Sequence, residues 1–244
     1  MNKLKNRIEE PNKEESGPIL PLDLFVFSFI IVLLFMIYFL VLFTLFCTDT
    51  TDVDIHLLIQ TRRSIRKFEQ QEISLMILKQ ICDDARFAPS PHNLQPWEFV
   101  IIHDGELRNK VFDHLEWLGG TPETGKTPVA YIVLLIPKEL NKDWSCLASL
   151  GACCQNILLS AWSYGIGSCW IGSVHNQKRL KKILKIPERL NIFSIIALGY
   201  PAEKPLIEES DTRIKPFRDT SGKIHVPKKA LESILHIDYY KYED

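Results

Sequence analysis

No Cys-x-x-Cys pair, no histidine cluster at metal-ligand spacing, no internal repeat and no block of basic residues occurs in this 244-residue sequence. Each absence excludes something. The six cysteines, Cys47, Cys82, Cys146, Cys153, Cys154 and Cys169, are scattered, and four of them lie in strongly apolar surroundings. That pattern fits buried reduced thiols and not a disulfide framework. Seven histidines without ligand spacing offer no metal site. A formal net charge of −1 without a basic run removes the electrostatic footprint of a nucleic-acid binder. Neither a Ser-His-Asp set nor a carboxylate pair marks nucleophilic or general acid–base catalysis.

What is present begins with an apolar run. Residues 1–21 are polar and mixed in charge, which predicts disorder. Residues 24–46 carry no charge, and only Ser28, Tyr38 and Thr44 bring a polar group. As a helix that run is about 34 Å long, enough to cross a hydrocarbon core of about 30 Å. Leu45-Phe46-Cys47-Thr48 offers no small-residue cleavage site, and Phe46 is too large to precede a lipoprotein cysteine. A single transmembrane helix over 22–48 is expected, followed by a globular domain over 51–244.

Within that domain helices and strands alternate. Helical pattern covers 53–60, then 75–87 after a capping Ser74, 106–118, 144–164 and 177–184. Strand pattern covers 98–102, 129–136, 168–171 and 193–200, and the run over 129–136 is apolar enough to be buried on both faces. Residues 119–127 read as a glycine- and threonine-rich loop, a possible lid. The class is α+β, a central mixed β-sheet surrounded by helices.

Two stretches carry chemistry. The first is Arg62-Arg63-Ser64-Ile65-Arg66-Lys67-Phe68, in which extended backbone sends Arg62, Ser64 and Arg66 to one side. Guanidinium forks and a hydroxyl in that array suit a phosphate and carbonyl oxygens; a basic patch beside anionic lipid headgroups has the same composition. The second is Ala88-Pro89-Ser90-Pro91-His92-Asn93-Leu94-Gln95-Pro96-Trp97. Its three prolines end the preceding helix and predict a stiff, extended loop displaying Ser90, Asn93 and Gln95. Stiffness lowers the entropy lost on binding a planar ligand.

In this order and spacing the two motifs resemble the FMN-dependent nitroreductase superfamily. The resemblance continues through 151–172 and Leu198-Gly199-Tyr200-Pro201, and spans roughly 55–237. It implies that Arg62, Arg63, Ser64 and Arg66 grip the ribityl phosphate and pyrimidine edge of FMN. It implies also that Pro89, Ser90, Pro91 and Asn93 lie on the flavin bound by the other subunit of a homodimer. Ile171 and Gly172 match the place where a backbone N–H meets flavin N5. Lys228 or Lys229 is the candidate second cation for the phosphate, with Arg213, Lys215 and Arg218 as rivals. Gln95 and Trp97 are assigned to anchoring, and His92 to the substrate side or to solvent.

The implied activity is reduction of FMN by NADH or NADPH, then of a flat electron-poor acceptor such as a nitroaromatic or quinone, in a ping-pong cycle. The cofactor carries that chemistry, so no catalytic acid or base is demanded. Three alternatives stand beside it: a reductive dehalogenase resembling iodotyrosine deiodinase, a non-catalytic flavin-binding module, and an anchored scaffold with a decayed site. Four Lys/Arg precede the span and Asp49, Asp52 and Asp54 follow it, which places the domain outside. Reduced thiols, a need for NAD(P)H and the nearby Arg62, Arg63 and Arg66 favour a cytoplasmic domain, the orientation expected here.

Overall fold

The computed structural model describes residues 22–47, 54–117 and 120–240. Contacts divide the chain into two units at residue 53. The first holds one helix, α1 (Leu22–Cys47). Every side chain over Val26–Val41 is exposed, and only Ser28 and Tyr38 among them bring a polar group, so no polar face is set against water. The segment 1–21, expected to be disordered, and residue 48 of the expected span lie outside the described residues.

In the second unit, helix starts follow side-chain capping. Asp54 accepts from the His56 and Leu57 N–H groups at 2.9 and 3.3 Å and opens α2 (Ile55–Thr61). Ser74 accepts from the Ile77 N–H at 3.3 Å and opens α3 (Leu75–Ala85), while Ile73 and Leu78 on either side of the cap are buried in one cluster. Asp143 caps α5 (Trp144–Ser163) through the Ser145 and Cys146 N–H groups. Helix α5 is long and apolar enough to cross a membrane, but half of it is buried inside the domain.

The main sheet contains β1 (Phe68–Glu69), β2 (Glu98–Ile102), β3 (Ala130–Pro137), β4 (Gly167–Ile171) and β5 (Leu190–Pro201). The order runs β2-β3-β5, with β4 and then β1 following one another along the far edge of β5. These five strands pair antiparallel; a parallel bridge from Ser64 to Ser168, on β4, makes the sheet mixed. Strand β3 sends Ile132, Leu134 and Ile136 into one core cluster and Tyr131, Val133 and Leu135 into the other, the period-2 alternation of a strand buried on both faces. Helices α3 and α5 supply the first cluster; α4 (Gly105–Phe112) and α6 (Gln177–Ile183) supply Val111 and Leu180 to the second.

Two expectations are corrected. The helix read over 106–118 stops at Phe112, because the chain beyond it pairs with 173–175. Leu115 bridges Val174, the Glu116 N–H donates to the Ser173 carbonyl at 3.1 Å and the His175 N–H to the His114 carbonyl at 2.7 Å. The tail after Pro201, read without strands, builds a second sheet from β6 (Leu206–Glu209), β7 (Phe217–Arg218) and β8 (Ile224–Lys228), in the order β6-β8-β7. Of the loop over 119–127, Gly119 lies outside the described residues. The five cysteines with described side chains are free thiols. Burial pushes Cys82, Cys153 and Cys154 up to about 12, so they stay protonated.

Candidate functional site

The arginine stretch is laid against the sheet by two glycines. The Ile65 N–H donates to the Ser168 carbonyl at 2.9 Å, and Ile65 itself is fully buried. A Cβ on Gly167 would come within 2.8 Å of the Ile65 side chain, and one on Gly199 within 2.7 Å of Phe68. Only glycine lets the segment lie this close to β4 and β5. Gly167 thus serves the packing of Ile65.

Each cationic residue is held differently. Arg62 ends α2, its N–H bonded to the Leu58 carbonyl at 3.1 Å, and burial lowers its pKa. The Arg63 guanidinium folds back onto the Gln60 and Arg62 carbonyls at the helix end, as a C-terminal cation does. Its pKa is also lowered, by burial first and by the charge of Arg62 second. Arg66 is fixed by its backbone, which donates to Glu203 Oε1 at 2.7 Å. Burial raises the pKa of the neighbouring Cys169 thiol, and the Arg66 charge opposes that rise.

The proline-bounded stretch is stiff, but it is coiled where an extended loop was expected. Pro91–Asn93 form one 3-10 turn, and His92, Asn93 and Gln95 all have left-handed backbone, with φ of 48°, 57° and 49°. Ser90 closes the turn from inside, its Oγ accepting the Gln95 N–H at 3.0 Å. That hydroxyl was expected to face a ligand, and its acceptor side is already engaged. Trp97 is buried and anchors the exit, whereas Pro89, His92 and Asn93 are exposed.

One protomer does not gather these groups into one cavity. Arg63 lines a cleft of about 700 Å³ with Thr61, Trp162 and the turn from Pro201 to Ile207. Pro89, Ser90 and Pro91 line a separate hollow of about 310 Å³ against Trp144, Ser145 and Ala148 of α5. Ile171 is buried at the end of β4, and Gly172 beyond it faces open space, with nothing within 4 Å of where a Cβ would stand. Lys228 and Lys229 are exposed at the end of β8, and Lys228 pairs in register with Glu209. Among the described residues no side-chain hydrogen bond or ion pair joins either to the arginine stretch. Among the rivals, Arg213 stacks over Phe217 at 3.4 Å, while Arg218 reaches the stretch through Glu203, bonding its Oε2 at 3.1 Å.

The stretch carries polar atoms still in want of partners. Among the described residues, Arg62 Nε, Arg63 Nε and, on β4, Ser168 Oγ are buried without a hydrogen bond, as is Trp117 Nε1 in the second core cluster. Such orphans are uncommon and call for an explanation. Two guanidinium donors and a hydroxyl fit an anionic, polar-edged ligand such as a flavin mononucleotide. Glu203 escaped sequence reading altogether, because an isolated glutamate in a Lys-Pro-rich turn looks solvated.

A family model described as Nitroreductase family matches residues 59–200. A protein of Archaeoglobus fulgidus, provisionally named NADH dehydrogenase/NAD(P)H nitroreductase, is 34% identical over 168 residues, covering 66% of this chain and 93% of its own. An FMN-dependent nitroreductase from Clostridium difficile superposes with a TM-score of 0.55 at 25% identity, covering 76% of this chain and all of its own. A provisional nitroreductase of Desulfovibrio desulfuricans, solved in complex with FMN, gives a TM-score of 0.58 at 24% identity, covering 77% and 98%.

Proposed function

Because the chain belongs to the nitroreductase family, a family of oxidoreductases, we propose that it binds FMN between two copies of itself. It uses NADH or NADPH to reduce a flat electron-poor acceptor, a nitroaromatic or a quinone, by a ping-pong cycle. The observation that carries this reading is the bridge from Ser64 to Ser168. It sets the stretch that bears the orphaned Arg62 and Arg63 donors beside β4, the strand that leads into Gly172.

Bound FMN supplies the ring that takes up and returns a hydride equivalent. The chain supplies position and charge. Arg62, Arg63 and Ser64 hold the phosphate and ribityl oxygens, with Lys228 or Lys229 as the further cation. Arg66 sets a positive charge at the pyrimidine edge, where it favours an anionic reduced ring. Ile171 and Gly172 present backbone N–H to N5. Pro89, Ser90, Pro91 and Asn93 come from the partner and close the ring's other edge, which matches the separation of the two cavities within one protomer.

Helix α1 anchors the protein in a membrane in this reading, with the catalytic domain cytoplasmic. The support is its exposed apolar surface, which water does not tolerate over 16 consecutive positions, Val26–Val41. An anchored enzyme suits a lipophilic acceptor such as a quinone.

The test is spectroscopic. The detergent-solubilised full chain, incubated with FMN and desalted, should keep a yellow flavin band that NADH or NADPH bleaches and a quinone restores. A colourless protein after that treatment refutes the cofactor assignment. Arg62→Met should weaken FMN retention by about tenfold, the effect of one charge-assisted contact.

A further inference from the structure

The sheet formed by β6, β7 and β8 lies wholly beyond the family match over 59–200, yet it is tied to the arginine stretch. The tie is Glu203, whose side chain is only 9% exposed. Its Oε1 accepts the Arg66 backbone N–H at 2.7 Å, and its Oε2 pairs with Arg218 Nη2 at 3.1 Å. Arg218 in turn donates through Nη1 to the Gly222 carbonyl at 2.8 Å, in the turn between β7 and β8. The Ala202 N–H donates to the Lys67 carbonyl at 2.9 Å, which keeps the turn bearing Glu203 alongside the stretch.

We propose that Glu203 is a positioning residue for the flavin-binding arginine stretch, and that Arg218 of the added sheet is what holds Glu203 in place. A nearly buried carboxylate is costly unless its oxygens are paired, and here each oxygen has one donor. Remove Arg218 and the carboxylate turns toward water, releasing the Arg66 N–H. Remove Glu203 and the backbone that carries the Arg66 charge is free to drift from β4. The added sheet thereby sets how firmly the ring's pyrimidine edge meets its cation. This inference rests on the flavin assignment above for its consequence, but not for its geometry.

Two kinds of readout separate the two claims. Hydrogen exchange at the Arg66 amide, in the full chain without flavin, reports the lock itself. FMN affinity and the flavin midpoint potential report its use. Glu203→Ala is expected to speed Arg66 exchange, to weaken FMN binding by about tenfold and to lower the potential, since a cation at the ring edge stabilises the reduced anion. Arg218→Met is expected to do the same more weakly. The double variant should be no worse than Glu203→Ala alone, because both act through one carboxylate. Should Glu203→Ala fail to fold, Glu203→Gln keeps an acceptor for Arg66 but turns an amide on Arg218, and should match Arg218→Met. Unchanged Arg66 exchange in both surviving variants overturns the proposal. Altered exchange in a protein that never takes up FMN leaves the lock standing and removes the flavin reading.

Discussion

Gly167 and Gly172 sit five residues apart and do opposite things. At Gly167 a methyl group would stand 2.8 Å from the Ile65 side chain, which is buried and cannot swing away. Gly167→Ala should therefore cost about 1–3 kcal/mol, as overpacking of a tight core does, and lower the melting temperature while displacing the arginine stretch. At Gly172 nothing lies within 4 Å, so Gly172→Ala should leave the melting temperature unchanged. The methyl would instead occupy the space before the backbone amide assigned to flavin N5, and FMN retention should fall. Thermal melts and flavin content of the two variants, measured side by side, check both halves. Equal loss of stability in both would remove the claim that Gly172 serves a ligand. The two glycines look alike in the string Gly165-Ile166-Gly167-Ser168-Cys169-Trp170-Ile171-Gly172, so their division of labour was not legible before the contacts of Ile65 were known.

Elements whose boundaries are fixed by local chemistry were legible; those fixed by a distant partner were not. Ser74 with its apolar i, i+3, i+4 face marked α3, and the charge-free run over 129–136 marked β3. The end of α4 was missed because Leu115 answers to Val174, far along the chain. The added sheet was missed because its strands are short and its closure depends on one histidine. His225 stacks on Phe217 at 4.6 Å and bonds Asp219 and Glu208, at 3.2 and 3.1 Å, while Arg213 covers the other face of Phe217. Asp219 first and Glu208 second raise the His225 pKa above its ordinary 6.5. A raised histidine contributes stability that is complete below about pH 6.5 and is lost as the pH climbs through the higher folded value. The Ser221 hydroxyl, and then His225, hold Asp219 down at about 2 from its ordinary 3.8. Its contribution is complete above about pH 4 and disappears as the pH falls through about 2. The sheet should thus be tightest between about pH 4 and 6.5 and looser at pH 8. Amide exchange in β8, corrected for the intrinsic pH dependence, should show that loosening. His225→Asn should abolish the difference, and a pH-independent profile in the native chain would rule the latch out.

At the scale of the molecule, the separation of the two motifs decides how many chains make a site. Arg63 and the Pro89-Ser90-Pro91 turn line different cavities of one protomer that share no residue. A lone chain then holds cationic groups without the loop that should cover the ring, and a loop without a ring to cover. If two copies supply the halves, damage can be complemented. Arg62→Met leaves a protomer able to lend its loop, and Asn93→Ala leaves one able to lend its arginines. A symmetric dimer of the two has one site with both defects and one with neither. Each variant alone should keep only about a tenth of native activity with NADH and a quinone at limiting FMN, as a tenfold weaker hold on the cofactor implies. Mixed, unfolded and refolded together in equal amounts, they should recover about one quarter of native activity, since half the dimers are mixed and each carries one sound site of two. Recovery should track flavin uptake at the same stoichiometry. A mixture as inactive as its components would mean that each chain builds its own site. The two cavities would then have to be joined by movement of the loop over 91–95, which its three left-handed residues and the internal Ser90 bond resist.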